Sequence, residues 1–103
     1  MKILVCDDHA LIREAMRGVL KELVSDAWVI EASDGRRAME LIAEDPQPDL
    51  MLLDLSLPDQ DGLAMLGDLH KRHPAISTVV LRERRERGVD LLSIVHDRYD
   101  RLE

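Results

Sequence analysis

Apolar residues in this chain follow two patterns, short continuous runs and longer stretches at helical spacing. The runs have the length of buried strands, and turn residues such as Ser33-Asp34-Gly35 and Pro46 separate them from the stretches. The runs predict strands at 2–6, 28–32, 50–53 and 76–81. The stretches predict helices over 10–24, after Gly35 and from Leu63 to His73, with apolar residues at helical spacing at Ile12, Ala15, Met16, Val19, Leu20, Leu23, Ala38, Leu41, Ile42, Leu63, Met65, Leu66 and Leu69.

Regular alternation of strand and helix predicts a single α/β domain with a doubly wound parallel sheet. Right-handed crossovers place helices on both faces of such a sheet, and ligands bind outside the carboxyl ends of its strands. In the common flavodoxin-like strand order, the first and third strands are neighbours. We therefore expect residues 1–81 to form a flavodoxin-like core with four strands.

The last 22 residues differ from this core, because six acidic and six basic side chains lie among them. Apolar positions from Val89 to Leu102 are spaced by three and four, which predicts a C-terminal helix over part of residues 82–103. The segment 91–95, LLSIV, is also compatible with a short strand. Such a helix could cover the sheet edge, mediate dimerisation or begin a longer signalling helix. We expect a homodimer, because an exposed edge strand and an apolar stripe both favour burial.

Composition and charge exclude several classes of function. The net charge of −7 and the presence of only one Trp and one Tyr argue against direct binding of nucleic acid. The single cysteine, Cys6, lies inside the first apolar run and is expected to be a small buried hydrophobe. The N-terminal run is too short for a signal peptide or a membrane span. We expect a cytoplasmic protein without a membrane partner.

Acidic residues follow two of the predicted strands. Asp7 and Asp8 come after the first strand, and Asp54 comes at the exit of the third, before the turn LPDQDG. Three carboxylates that converge there cannot all stay ionised without a cation, and Mg²⁺ prefers oxygen ligands. Aspartate can also act as a nucleophile towards phosphorus. The pattern predicts a site for Mg²⁺ and a phosphoryl group, with helix capping as the alternative role for each carboxylate. We expect His9 to be an exposed histidine at a helix start, with a ligand or proton donor as its alternative role.

The motifs LVCDDH and DLSLPDQDG, together with the DG that opens the second helix, resemble the receiver domain of two-component response regulators. The resemblance covers residues 1–81 and is closest to the subfamily with a helix-turn-helix output domain. It implies a CheY-like fold in which Asp54 accepts phosphate from a sensor histidine kinase or a phosphotransfer protein. It also implies that Asp7, Asp8, Asp54 and the backbone carbonyl of Ser56 bind Mg²⁺. Such a domain is not an enzyme beyond its own phosphorylation and dephosphorylation.

Two departures from the family pattern affect the response to phosphorylation. The family has Ser or Thr at the end of the fourth strand, where this chain has Arg82, and a Lys at the end of a fifth strand, whereas no lysine follows Lys71. Arg82 either contacts the phosphoryl group bidentately or begins a solvated charged segment. The alternative function is therefore a degenerate receiver-like module for dimerisation or docking that is independent of phosphorylation. A phosphatase with an Asp nucleophile on its first strand would need a DxD motif, which Asp7-Asp8-His9 lacks.

Overall fold

One five-stranded sheet forms the centre of the structure, a computed structural model that describes residues 1–86 and 89–96 and the side chains of residues 1–81. The elements in chain order are β1 Lys2–Cys6, α1 Ala10–Leu23, β2 Trp28–Ala32, α2 Gly35–Ile42, β3 Leu50–Asp54, α3 Gly62–Arg72, β4 Ser77–Glu86 and β5 Val89–His96. The strand order is β2-β1-β3-β4-β5. Strands β1 to β4 pair in parallel, so the predicted flavodoxin-like order, with β1 beside β3, is confirmed.

The side chains of the central strands fill both faces of the sheet. On one face, Leu4 and Cys6 of β1 belong to a core with apolar residues of α2 and α3. On the other face, Ile3 and Val5 pack with Val29, and Met16 of α1 is partly buried against them. Because successive side chains of a strand point to opposite faces, a continuous apolar run is what burial on both faces requires.

Helix α1 is present as predicted, but its apolar positions are less buried than the pattern implied. None of its residues is fully buried, and Val19 and Leu23 remain 47% and 76% exposed. The helix packs mainly on β1 and β2 through the side that carries Met16 and Leu20. Helical spacing identified the helix, whereas the depth of burial depends on which neighbours cover it.

The predicted C-terminal helix is wrong for residues 82–86 and 89–96, which form strands. Residues 82–86 extend β4, and β5 pairs with it in antiparallel register, with Leu81 opposite Ile94. Pairing satisfies the backbone groups of the β4 edge, and the β-branched residues of β5 suit a strand. The strand reading of 91–95 is therefore the correct one. The remaining positions of the predicted helix, Tyr99 and Leu102, lie outside the described residues.

Gly62 and Gly67, both in α3, provide a test of packing at the loop before this helix. A Cβ on Gly62 would lie 2.4 Å from the Cα of Leu55, whereas a Cβ on Gly67 would meet nothing within 4 Å. We expect Gly62→Ala to lower the free energy of unfolding by more than about 1 kcal/mol, because backbone atoms must move. We expect Gly67→Ala to raise it by about 0.5–1 kcal/mol, because alanine restricts the unfolded chain. Urea denaturation of both variants measures the difference, and equal effects would contradict this packing.

Candidate functional site

The carboxyl ends of β1 and β3 meet at one edge of the sheet. Cys6 pairs with Leu53, so Asp7, which follows β1, lies beside Asp54, the last residue of β3. Asp8 and His9 complete the turn that leads into α1, for which His9 is the N-cap. The structure thus brings together the three predicted carboxylates from separate parts of the chain.

Four side chains in this turn region could bind a single metal ion. One ligand atom from each of Asp7, Asp8, His9 and Asp54 lies within 4.8 Å of the others. Asp7 and Asp54 are 0% and 1% exposed, whereas Asp8 and His9 reach the solvent. The cluster is therefore open to solvent at Asp8 and His9 and buried at Asp7 and Asp54.

Backbone amides orient one oxygen of each buried carboxylate. Asp7 Oδ1 accepts a hydrogen bond from the His9 amide at 2.8 Å, and Asp54 Oδ1 accepts one from the Ser56 amide at 2.9 Å. The Oδ2 atoms of Asp7 and Asp54 have no hydrogen-bond partner among the described residues. Buried polar atoms are rarely left unpaired in folded proteins, so these two oxygens are candidate ligands for a metal ion.

The electrostatics of the site disfavour the ionised form of Asp54. Burial raises the pKa of Asp54 above its ordinary value, and the charges of Asp7 and Asp8 raise it further, although the hydrogen bond from Ser56 acts in the opposite direction. Burial and the charges of Asp54 and Asp7 also raise the pKa of the Cys6 thiol to about 12. Cys6 is therefore a neutral buried thiol at physiological pH, in agreement with the role predicted for it.

Arg13 holds the backbone of the acidic turn from the first helix. Its Nη1 donates to the carbonyl oxygen of Asp7 at 2.7 Å, and its Nε donates to Glu31 Oε1 at 3.1 Å. Arg17, one turn further along α1, also pairs with Glu31. Sequence reasoning missed Arg13, because its contacts reach the turn after β1 and strand β2, which no spacing within α1 indicates.

The loop between β3 and α3 is fixed at several points. Leu57 is buried in the core, and both oxygens of Asp59 accept hydrogen bonds from the first amides of α2, Gly35 at 2.8 Å and Arg36 at 3.0 Å. Asp61 is the N-cap of α3 and accepts a hydrogen bond from the amide of Leu63. Asp59 therefore connects the loop that carries Ser56 to a neighbouring helix, which the sequence alone did not indicate.

Arg82, for which the sequence left open a phosphoryl contact or a solvated position, lies in β4 immediately after Leu81, which pairs with Asp54. Its backbone therefore lies near the carboxyl end of β3. The Arg82 side chain lies outside the described side chains, so its contact with a phosphoryl group stays a prediction. At the site, the amide of Ser56 donates a hydrogen bond to Asp54. Metal binding by the Ser56 carbonyl also stays a prediction.

Comparison with known proteins identifies the family of the chain. A family model described as the response regulator receiver domain matches residues 3–97. The glycerol metabolism activator of Pseudomonas putida is 35% identical over 95 residues, which is 92% of this chain and 43% of that protein. The nitrate/nitrite response regulator protein NarL of Escherichia coli strain K12 is 39% identical over 70 residues, 68% of this chain and 32% of that protein.

Solved structures agree with this result. Response regulator protein TrrA of Thermotoga maritima, in complex with Mg²⁺-BeF, is 28% identical, with a TM-score of 0.70 over 79% of this chain and 68% of that chain. The Mn²⁺-bound form of response regulator Rcp1 is 30% identical, with a TM-score of 0.72 over 84% of this chain and 68% of that chain. The chain belongs to the response regulator receiver domain family, whose members are signalling modules of two-component systems.

The similarity to the curated relatives is confined to part of their length. The chain spans less than half the length of the curated relatives it matches. Within the described part of the chain, no helix combines the length and the apolar character that a membrane crossing requires.

Replacement of Asp54 tests the charge repulsion at the site. In chelator-treated protein, we expect Asp54→Asn to raise the free energy of unfolding by about 1 kcal/mol or more. The substitution removes a buried negative charge that no bound cation neutralises. Asp49→Asn makes the same chemical change at an exposed side chain that accepts a hydrogen bond from the Lys2 amide, so no gain is expected. Denaturant titrations compare the variants, and a loss of stability in Asp54→Asn would contradict the repulsion.

The pH dependence of stability tests whether Asp59 attaches the loop after β3 to α2. The amides of Gly35 and Arg36 lower the pKa of Asp59 below its ordinary value. The ionised carboxylate therefore stabilises the fold above its unfolded pKa of about 3.9, and this stabilisation is lost as the pH falls through the lower folded pKa. We expect Asp59→Ala to be less stable than the wild type at neutral pH and the difference to shrink in acid. Thermal unfolding across the pH range measures it, and a constant difference would refute the attachment.

Proposed function

We propose that the domain accepts a phosphoryl group on Asp54 from the phosphohistidine of a sensor histidine kinase or a phosphotransfer protein. The observation that carries this proposal is the pair of buried Oδ2 atoms on Asp7 and Asp54 that lack hydrogen-bond partners at the edge where β1 and β3 end. Hydrogen bonds to backbone amides account for the Oδ1 atoms of both carboxylates but not for their buried Oδ2 atoms. Family membership supports the same function.

The residues at this edge fit a Mg²⁺ ion. Asp7, Asp8 and Asp54, with the backbone carbonyl of Ser56, would supply oxygen ligands, which are the ligands that Mg²⁺ prefers. The bound ion would offset the mutual repulsion of the carboxylates and neutralise negative charge on the transferred group. TrrA, whose solved structure is a complex with Mg²⁺-BeF, supports this choice of ion.

The proposed transfer is a direct displacement at phosphorus. The ionised carboxylate of Asp54 attacks the phosphorus atom, a P–O bond forms as the P–N bond to the donor imidazole breaks, and the imidazole takes up a proton as it leaves. The amide of Ser56 orients the carboxylate of Asp54 through Oδ1, and Oδ2 accepts no hydrogen bond from the described residues. Asp54 must be ionised for this step, and a cation in the site favours the ionised form.

Arg82 stands where the family has Ser or Thr, so the contact that reads phosphorylation is part of the proposal. We propose that Arg82 contacts the phosphoryl group in place of the family Ser or Thr, because it follows the residue that pairs with Asp54. We also propose that the domain forms a homodimer. Strand β5 is the last strand in the sheet order, so its outer edge offers backbone groups to a second chain.

Binding of beryllofluoride, a mimic of the phosphoryl group, tests this function. We expect it to bind the wild type only when Mg²⁺ is present, and not to bind Asp54→Ala. Asp61→Ala removes a carboxylate from the adjacent loop without touching the cluster, so it should retain binding. Calorimetric titrations measure binding, and light scattering on the same samples measures the mass.

The same experiment separates the two candidate functions. Beryllofluoride binding that changes the mass supports a phosphorylation-dependent domain. If Mg²⁺ binds but beryllofluoride does not, phosphoryl transfer to Asp54 is refuted. The chain would then be a docking or dimerisation module that is independent of phosphorylation, a function that the comparisons do not favour.

A further inference from the structure

A groove between α2 and α3 lies apart from the acidic cluster. It encloses about 440 Å³, a volume in the range of protein binding pockets. Its lining comes from α2, from α3 and from the loop that precedes α3, and consists of Met39, Gln60, Asp61, Ala64, Met65 and Asp68. None of these residues belongs to the acidic cluster, so this α2–α3 groove is a separate feature of the surface.

Two methionines form the apolar part of the lining. Met39 of α2 is partly buried against the core, and Met65 of α3 belongs to the core, with 4% of its surface exposed. Methionine is unbranched and polarizable, so it adapts to side chains of different shapes and is frequent at surfaces that bind amphipathic helices. The groove therefore suits aliphatic side chains from outside the domain.

The residues that line the groove from α3 share one face of this helix. Asp61, the N-cap, is followed by Ala64 and Met65 after three and four residues and by Asp68 after seven. A carboxylate therefore lies at each end of this face, with small and apolar side chains between. At a rise of about 1.5 Å per residue, the two carboxylates are about 10 Å apart along the helix axis.

The charges around the groove favour a cationic partner. The two arginines of α2 both pair with Glu40. Arg72 pairs with Asp68 at 3.1 Å, but both side chains are exposed, and exposed ion pairs contribute little. The whole net charge of −7 belongs to residues 1–81, since the last 22 residues are neutral in sum. This charge attracts basic partners and opposes both nucleic acid and a second core of the same kind.

A basic amphipathic helix has the pattern that complements this groove. Its apolar side chains, three and four residues after a basic one, would pack on the two methionines, and a second basic side chain seven residues on would reach the other carboxylate. We propose that the α2–α3 groove binds such a helix of a partner protein. The groove supplies the packing surface that a short helix lacks in water. The inference goes beyond the proposed function, because it requires neither a cation nor phosphorylation of Asp54.

A synthetic helical peptide tests the proposal. The probe has two Arg seven residues apart and Leu at the third and fourth positions after the first Arg. We expect it to shift the methyl signals of Met39 and Met65 in spectra of ¹³C-methionine-labelled protein. The signal of Met16, which packs on the other face of the sheet, should not change. A peptide with Glu in place of Arg should bind at least about tenfold more weakly, because like charges then face each other. No shift of the groove methionines, or equal affinities of the two peptides, would refute the proposal.

Two arginine substitutions in α3 locate the binding site. Ala64 is exposed within the groove, whereas Gly67 is exposed outside its lining, and a Cβ at Gly67 would meet nothing within 4 Å. Ala64→Arg and Gly67→Arg therefore add the same charge to the same helix at exposed positions. We expect Ala64→Arg to lower the affinity for the Arg peptide by about tenfold or more, and Gly67→Arg by less than about threefold. Fluorescence anisotropy measures the affinities. Equal losses would show attraction to the net charge alone and would refute the groove as the site.

Removal of one carboxylate tests the proposed charge pairing. We expect Asp68→Asn to bind the Arg peptide more weakly than the wild type, and added salt to weaken wild-type binding. Glu22→Gln makes the same change of charge at an exposed residue of α1 and should retain the wild-type affinity. Equal affinities of Asp68→Asn and Glu22→Gln would contradict the pairing.

The remaining outcomes separate this proposal from its alternatives. If the peptide does not bind and light scattering shows that Ala64→Arg dissociates a wild-type dimer, a second copy occupies the groove and the proposal is refuted. Peptide binding by protein that does not bind beryllofluoride would support the groove and refute phosphoryl transfer. Beryllofluoride binding without peptide binding would support phosphoryl transfer and refute the groove.

Discussion

The convergence of buried carboxylates at the ends of β1 and β3 is the constraint on which the rest of this structure depends. Asp7 and Asp54 lie side by side because their strands are neighbours in the parallel sheet, and both are almost fully buried. Such an arrangement reduces the stability of the domain without a ligand, because buried like charges repel. A bound cation would offset this repulsion, so the feature that lowers the stability of the ligand-free domain would also favour cation binding.

Polar contacts of the surrounding residues fix the turns at the site although the carboxylates of Asp7 and Asp54 repel each other. Arg13 anchors the Asp7 carbonyl from α1, and its pairing with Glu31 extends the contact to β2. On the opposite side, Asp59 attaches the loop after β3 to the start of α2. Within the described residues, these polar contacts fix the turns that border the site, and they do not involve the carboxylate oxygens that could bind a ligand.

The sequence predicted the parallel core and the three carboxylates because both depend on local patterns. Continuous apolar runs specify strands that are buried on both faces, and the order of strands and helices restricts the topology. The roles of Arg13 and Asp59 could not be predicted, because each contact joins elements that no periodicity relates. The sequence left a strand at 91–95 open beside the predicted helix, because the apolar spacing of 89–96 also fits a helix, and the open edge of β4 selects the strand.

Direct detection of the modified residue is the measurement that tests phosphoryl transfer to Asp54. The domain is treated with an acyl phosphate as phosphodonor, with Mg²⁺ or with chelator, and then with borohydride, which reduces an aspartyl phosphate to homoserine. Peptide mass spectrometry locates the product. We expect homoserine at position 54 in the Mg²⁺ sample alone. Unmodified Asp54 in both samples, or modification at Asp7 or Asp8 instead, would contradict the proposed transfer.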